Sequence, residues 1–116
     1  MTIRRGDWGQ ARRAAAGDLD AERFPALRGF FRGYLHQDWA LEHSSAVHAA
    51  RTFLAVADPE ERDAVAAEWR AFRTAVDGQT LAAVRRAVCD ILGSAWRPSS
   101  LAELDRLGAA LTAPSR

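Results

Sequence analysis

From residue 24 onward, apolar and polar positions recur with a helical period, and nowhere does the strict alternation of a strand persist. Leu27, Phe30, Phe31, Tyr34 and Leu35 share one face of a helix opening at Pro25. Proline suits that first turn because its position has no intrahelical amide partner. Ser44 or Ser45 can cap a second helix running to about Ala57, with Val47, Phe53 and Leu54 turned inward. Asp58-Pro59-Glu60-Glu61 opens a third: an aspartate cap, a first-turn proline, and carboxylates favoured by the positive end of the helix dipole. Its stripe is Val65, Trp69, Phe72 and Val76, and Gly78 is placed to end it. Thr80 can cap a fourth helix with Leu81, Val84, Val88, Ile91 and Leu92 buried and Gly93 as its stop. A loop from Gly93 to Ser100 holds Trp96 and Pro98. Ser100 and Glu103 then have capping-box spacing ahead of a last helix with Leu101, Leu104, Leu107 and Leu111. The pattern predicts an all-α fold, a compact single-domain bundle of about five helices with short connections.

Residues 1–22 break the pattern. Their only large apolar residues are Ile3, Trp8 and Leu19, while Arg4, Arg5, Arg12 and Arg13 against Asp7 make the segment locally basic. It reads as an N-terminal arm, flexible or a short helix, before a helical domain over 23–116. Within the first confident helix, Gly29 and Gly33 lie four apart on one side. Interior glycine costs roughly 1 kcal/mol relative to alanine, so the pair implies either a closely approaching neighbour helix or a frayed one.

Composition narrows the function classes. The chain has 116 residues, 48% hydrophobic and 27% charged, enough to bury one core without staples. No window reaches the ~18 apolar residues of a membrane span, and no apolar run follows the basic N-terminus as a secretory signal requires. A single cysteine, Cys89, cannot form an internal disulfide and sits in an apolar helical stretch, reading as a buried structural thiol. These features point to the cytoplasm. Sixteen arginines nearly cancel fifteen acids for a net charge of +1, which argues against a general nucleic-acid binder. Arg85-Arg86 and the arm's arginine pairs are the only support for a nucleic-acid-binding regulator.

Catalysis and cofactors find little footing. His36, Asp38, Glu42, His43 and His48 cluster in sequence, but two helical histidines gripping one metal want a four-residue spacing. His43 and His48 are five apart and would diverge on a helix. Cys89 lacks the electropositive, exposed setting that activates a thiol. Neither a G-x-S-x-G elbow nor a glycine-rich phosphate loop is present. The expectation is a non-enzyme with no cofactor and no metal.

The run Phe24–Trp39 is the least generic part of the chain, with four aromatics before the tetrad His36-Gln37-Asp38-Trp39. At a helix end, histidine and glutamine can satisfy free carbonyls, Asp38 can brace a turn and Trp39 can plug the core. The other reading makes Trp39 and Tyr34 anchors for a partner protein.

This run, ending Tyr34-Leu35-His36-Gln37-Asp38-Trp39 and continuing Ala40-Leu41-Glu42, resembles the opening helix of the small immunity proteins of bacterial contact-dependent growth inhibition systems. Leu92-Gly93-Ser94-Ala95-Trp96-Arg97-Pro98 is similar to a second family stretch, and Leu101–Leu111 to its closing helix. Arg97 departs from the acidic residue of that stretch, and Ser94-Ala95-Trp96 from its cysteine-aromatic pair. The resemblance implies a cytoplasmic protein that neutralises a cognate toxin, the product of an adjacent gene, with Tyr34, His36, Gln37, Asp38 and Trp39 as family motif. With no apolar span in the chain, no membrane partner is expected. Asp58, Glu60, Glu61 and Asp63, with Glu68 further along the same helix, form the best acidic patch for a toxin with a basic cleft. A helical interaction module without a toxin partner would share this fold.

Overall fold

The computed structural model describes residues 19–114, which form an all-α single domain. A 3₁₀ turn, Ala21–Arg23, leads into six helices: α1 (Pro25–Tyr34), α2 (Trp39–Glu42), α3 (Ala46–Val56), α4 (Pro59–Ala75), α5 (Leu81–Asp90) and α6 (Leu101–Leu111). Of the basic arm expected over 1–22, residues 1–18 lie outside the described residues, and Ala21 and Glu22 belong to the 3₁₀ turn. The single-turn α2 is the element that periodicity missed, since four residues are too few to show a period. None of the described helices is long and apolar enough to cross a membrane.

Local chemistry sets most helix starts. Ser45, Asp58, Thr80 and Ser100 each accept the backbone N–H three residues on, at 2.8–3.1 Å. Glu103 returns its carboxylate to the Ser99 amide at 2.6 Å rather than to Ser100, so the capping box closes one residue early. Gly78 and Gly93 take positive φ, 80° and 73°, where a side chain would be strained. At Gly93 the turn satisfies the last carbonyls of α5: Gly93 N–H donates to Cys89 O and Ser94 N–H to Val88 O.

Among the longer helices α1 is the exception, because its N-cap is Phe24, which has no side-chain oxygen to offer. The missing cap comes from elsewhere in the chain. Glu68 of α4 accepts the Leu27 amide at 2.8 Å, so this carboxylate faces the N-terminal, positive end of α1 rather than joining the acidic residues at the start of its own helix. Beside it Phe24, fully buried, meets the edge of Phe72 at 5.7 Å.

The core runs from Phe24, Leu27, Phe30, Phe31 and Leu35 into Val65, Trp69 and Phe72 on one side and Phe53 on the other. On α3 the buried face is Ala46, Ala49, Ala50 and Phe53, with Val47 and Leu54 only half-buried at its flank. Helix α3 packs against α6, and Leu81 of α5 and its C-cap Ile91 are half-buried rather than buried. Helices α4 and α6 also touch, and there Arg73 bonds Asp105 at 2.9 Å. That hydrogen bond raises the guanidinium pKa above its ordinary value, opposed by partial burial and assisted by the charges of Asp105 and Asp77.

Close helix approach occurs at neither Gly29 nor Gly33: both are exposed, and a Cβ at either would meet nothing within 4 Å. It occurs at Gly108 of α6, where a Cβ would fall on the indole of Trp69. Gly108→Ala should therefore destabilise the domain by about 1–3 kcal/mol through overpacking, whereas Gly29→Ala and Gly33→Ala should each stabilise it by up to ~1 kcal/mol. Glu68→Ala should cost ~1–3 kcal/mol by leaving the Leu27 amide unpaired. Urea unfolding midpoints at constant slope check all four.

Candidate functional site

At the end of α1 the chain turns sharply into α2, and the tetrad forms the corner. Leu35 closes α1 by donating to Phe31 O at 2.9 Å. His36 then holds the turn: its Nδ1 accepts the Asp38 amide at 3.1 Å, so its proton resides on Nε2, which faces Glu42 Oε1 at 3.2 Å. Bracing of the turn thus falls to His36, and the Asp38 side chain makes no cap bond. Nor does His36 use its ring on free carbonyls, because both nitrogens are committed elsewhere. Gln37 and Asp38 are exposed. Trp39 is half-buried against the core rather than inside it. Leu41, 86% exposed, points into solvent on the following turn.

Tyr34 ties this corner to α3. Its ring stacks on Phe30 at 5.6 Å, meets the edge of Phe53 at 5.6 Å and lies 6.0 Å from the imidazole of His43. The two histidines expected to diverge instead meet, with Nδ1 atoms 3.2 Å apart. His43 escapes the helical spacing argument because it is the extended C-cap of α2, with φ −135° and ψ 141°. One ring must donate from Nδ1 and the other accept there. Among the described residues no group of three or more histidine, cysteine, aspartate or glutamate side chains is arranged to hold a metal ion.

The second stretch, Leu92–Pro98, docks on the same corner from the far end of the sequence. Ala95 N–H donates to Leu35 O at 2.8 Å, Trp96 stacks on Phe31 at 6.4 Å, and Ser94 Oγ holds the loop by donating to Trp96 O at 2.7 Å. Arg28 of α1 donates from Nε to Ile91 O at 3.0 Å, satisfying a carbonyl at the end of α5. Two segments almost sixty residues apart thus become one surface.

A single sequence profile spans both. Residues 23–111 match the family described as CdiI immunity protein. The chain belongs to this family. A search of curated proteins and of solved structures finds no match. In this family member the matched region begins beside Phe24 and ends at Leu111, so it takes in every described helix and leaves residues 1–22 outside.

Two further side-chain groups are exposed. Asp58, Glu60, Glu61 and Asp63 all face solvent at the start of α4, although Asp58 spends an oxygen on the Glu61 amide. Cys89 is half-exposed, not buried. It stands on the outward side of α5 beside Arg85, Arg86 and Arg97, a more electropositive setting than its apolar sequence neighbours indicate. The exposed spacing of Arg85, Arg86, Cys89 and Asp90 on one helix is legible in the sequence, but the approach of Arg97 from the loop is not.

If the corner is held as described, Trp96→Ala should cost ~3–5 kcal/mol as a buried ring is lost. Trp39→Ala should cost less, roughly 1–3 kcal/mol, and leave the α-helical circular dichroism intact. Equal losses at the two tryptophans would contradict the half-buried placement of Trp39.

Proposed function

We propose that this chain binds and inhibits a cognate contact-dependent growth inhibition toxin in the cytoplasm, acting by stoichiometric occlusion rather than by turnover and without a cofactor. The observation that carries this reading is the family match over residues 23–111. Occlusion of the toxin's active site, or of a surface it needs, requires a rigid scaffold with exposed, specific side chains, and the capped bundle supplies one. The toxin is the product of an adjacent gene, and neither a membrane nor a nucleic acid is part of the complex.

Asp58, Glu60, Glu61 and Asp63 are candidate contacts for a toxin with a basic cleft. The helix dipole accounts for carboxylates at this position in any case, so their role in binding is a separate claim. The motif residues Tyr34, His36, Gln37, Asp38 and Trp39 serve mainly to build the corner, with Gln37 and Asp38 free to face a partner.

Co-expression with the neighbouring gene product should yield a complex that co-purifies, and the chain should restore growth to cells expressing that toxin. A chain that binds nothing there and protects nothing is a helical interaction module of another kind. Glu60→Arg with Glu61→Arg should weaken the complex by about tenfold, chiefly by slowing association. Unchanged affinity would remove the acidic patch from the interface while leaving the immunity function in place.

A further inference from the structure

A concave surface of opposite sign lies along α5. A cavity of about 300 Å³ is lined by Arg85, Arg86, Cys89, Asp90 and Arg97, and a shallower hollow of about 550 Å³ by Arg32, Asp38, Cys89 and Gly93 among others. Cys89 lines both, so the two hollows adjoin at this residue and together make an arginine-bordered groove. Arg28 and Arg73 are spent on structural bonds to Ile91 and Asp105. By contrast, the guanidinium groups of Arg32, Arg85, Arg86 and Arg97 have no hydrogen-bond or ion-pair partner among the described residues. Arg51 and Arg106 line a separate hollow as a pair.

The groove is also shaped in advance. Gly93, at φ 73°, leaves room for the stem of Arg32 to lie across it, and a Cβ there would come within 2.8 Å of Arg32 Cγ. Arg32 borders the second hollow beside Gly93. Arg97 sits in a loop fixed by Trp96 on Phe31 and by the Ala95–Leu35 bond. Less side-chain freedom is then left to lose when an anion binds.

We propose that this groove is a docking surface for a carboxylate-rich segment of a protein partner. The guanidinium fork pairs two parallel N–H donors with one carboxylate, and the groove offers four such forks. Asp38 and Asp90 interrupt it, which disfavours the continuous phosphate track of a nucleic acid. The whole chain carries only +1, so little counterion-driven attraction to a polyanion is available. Discrete carboxylates between the two aspartates fit better. Assignment of the segment to the toxin rests on the function proposed above.

Cys89 is the chain's only cysteine and reports occupancy directly. In the full chain, a hexaglutamate peptide should slow alkylation of Cys89 by iodoacetamide, and high salt should reverse the protection. Arg85→Gln, Arg86→Gln and Arg97→Gln together should weaken peptide binding by about tenfold or more, since several charge-assisted hydrogen bonds are lost. Arg51→Gln with Arg106→Gln, both exposed elsewhere, should leave it unchanged. No protection in the wild-type chain, equal loss in the control variant, or stronger protection by a DNA oligonucleotide of equal charge would each overturn the proposal. In the toxin complex, an affinity untouched by the triple variant would overturn the toxin assignment alone. Failure of the wild-type chain to bind the toxin would overturn the proposed function, and the peptide titration would still decide the groove.

Discussion

Helix α1 lies at the centre of the core, and a buried helix cannot leave its terminal amides and carbonyls to water. Its own sequence supplies no cap at the start, where Phe24 occupies the position that serine, threonine or aspartate holds on the long helices α3 to α6. The need is met at one end by Glu68 from α4, which accepts the Leu27 amide, and at the other by the Ala95 amide, which donates to Leu35 O. Those two bonds hold α4 and the α5–α6 loop in register with α1, and the aromatic contacts of Phe24 with Phe72 and Phe31 with Trp96 fill the space beside them. The remaining architecture follows from this: α3 covers the Phe30–Tyr34 side, and α6 closes over α3 and α4.

The tetrad gains a clearer meaning in this setting. His36 is a hinge pin whose two nitrogens join the Asp38 amide to Glu42, and Tyr34 is a strut between α1 and α3. Motif residues of this kind preserve a corner, which in turn fixes where the Leu92–Pro98 loop can dock. Gln37 and Asp38 are the members left facing solvent. A signature can therefore identify a family through its scaffold while the partner is gripped by neighbouring side chains.

Near-zero net charge conceals a division of the surface. Carboxylates collect at the start of α4, where the helix dipole favours them, and unpaired guanidinium groups collect along α5 and its loop. Such a surface offers a partner orientation as well as attraction, because a reversed approach would set like charges together.

Helix boundaries were readable from the sequence because their causes are local. Ser45, Asp58, Thr80 and Ser100 bond amides within three residues of themselves, and Gly78 and Gly93 release strain at their own φ. The apolar stripes of α1, α4 and, apart from the exposed Leu101, α6 were readable for the same reason, as was the resemblance carried by contiguous residues. Tertiary structure alone decided the rest. It turned Glu68 toward α1, brought His43 against His48, exposed Cys89, moved the close helix contact from Gly29 and Gly33 to Gly108, and gathered Arg32, Arg85 and Arg97 around one groove. Each of those outcomes depends on which residues meet after some tens of intervening positions, or on a chain leaving helical geometry at α2. Periodicity carries information about one element's faces, but not about what another element presents to them.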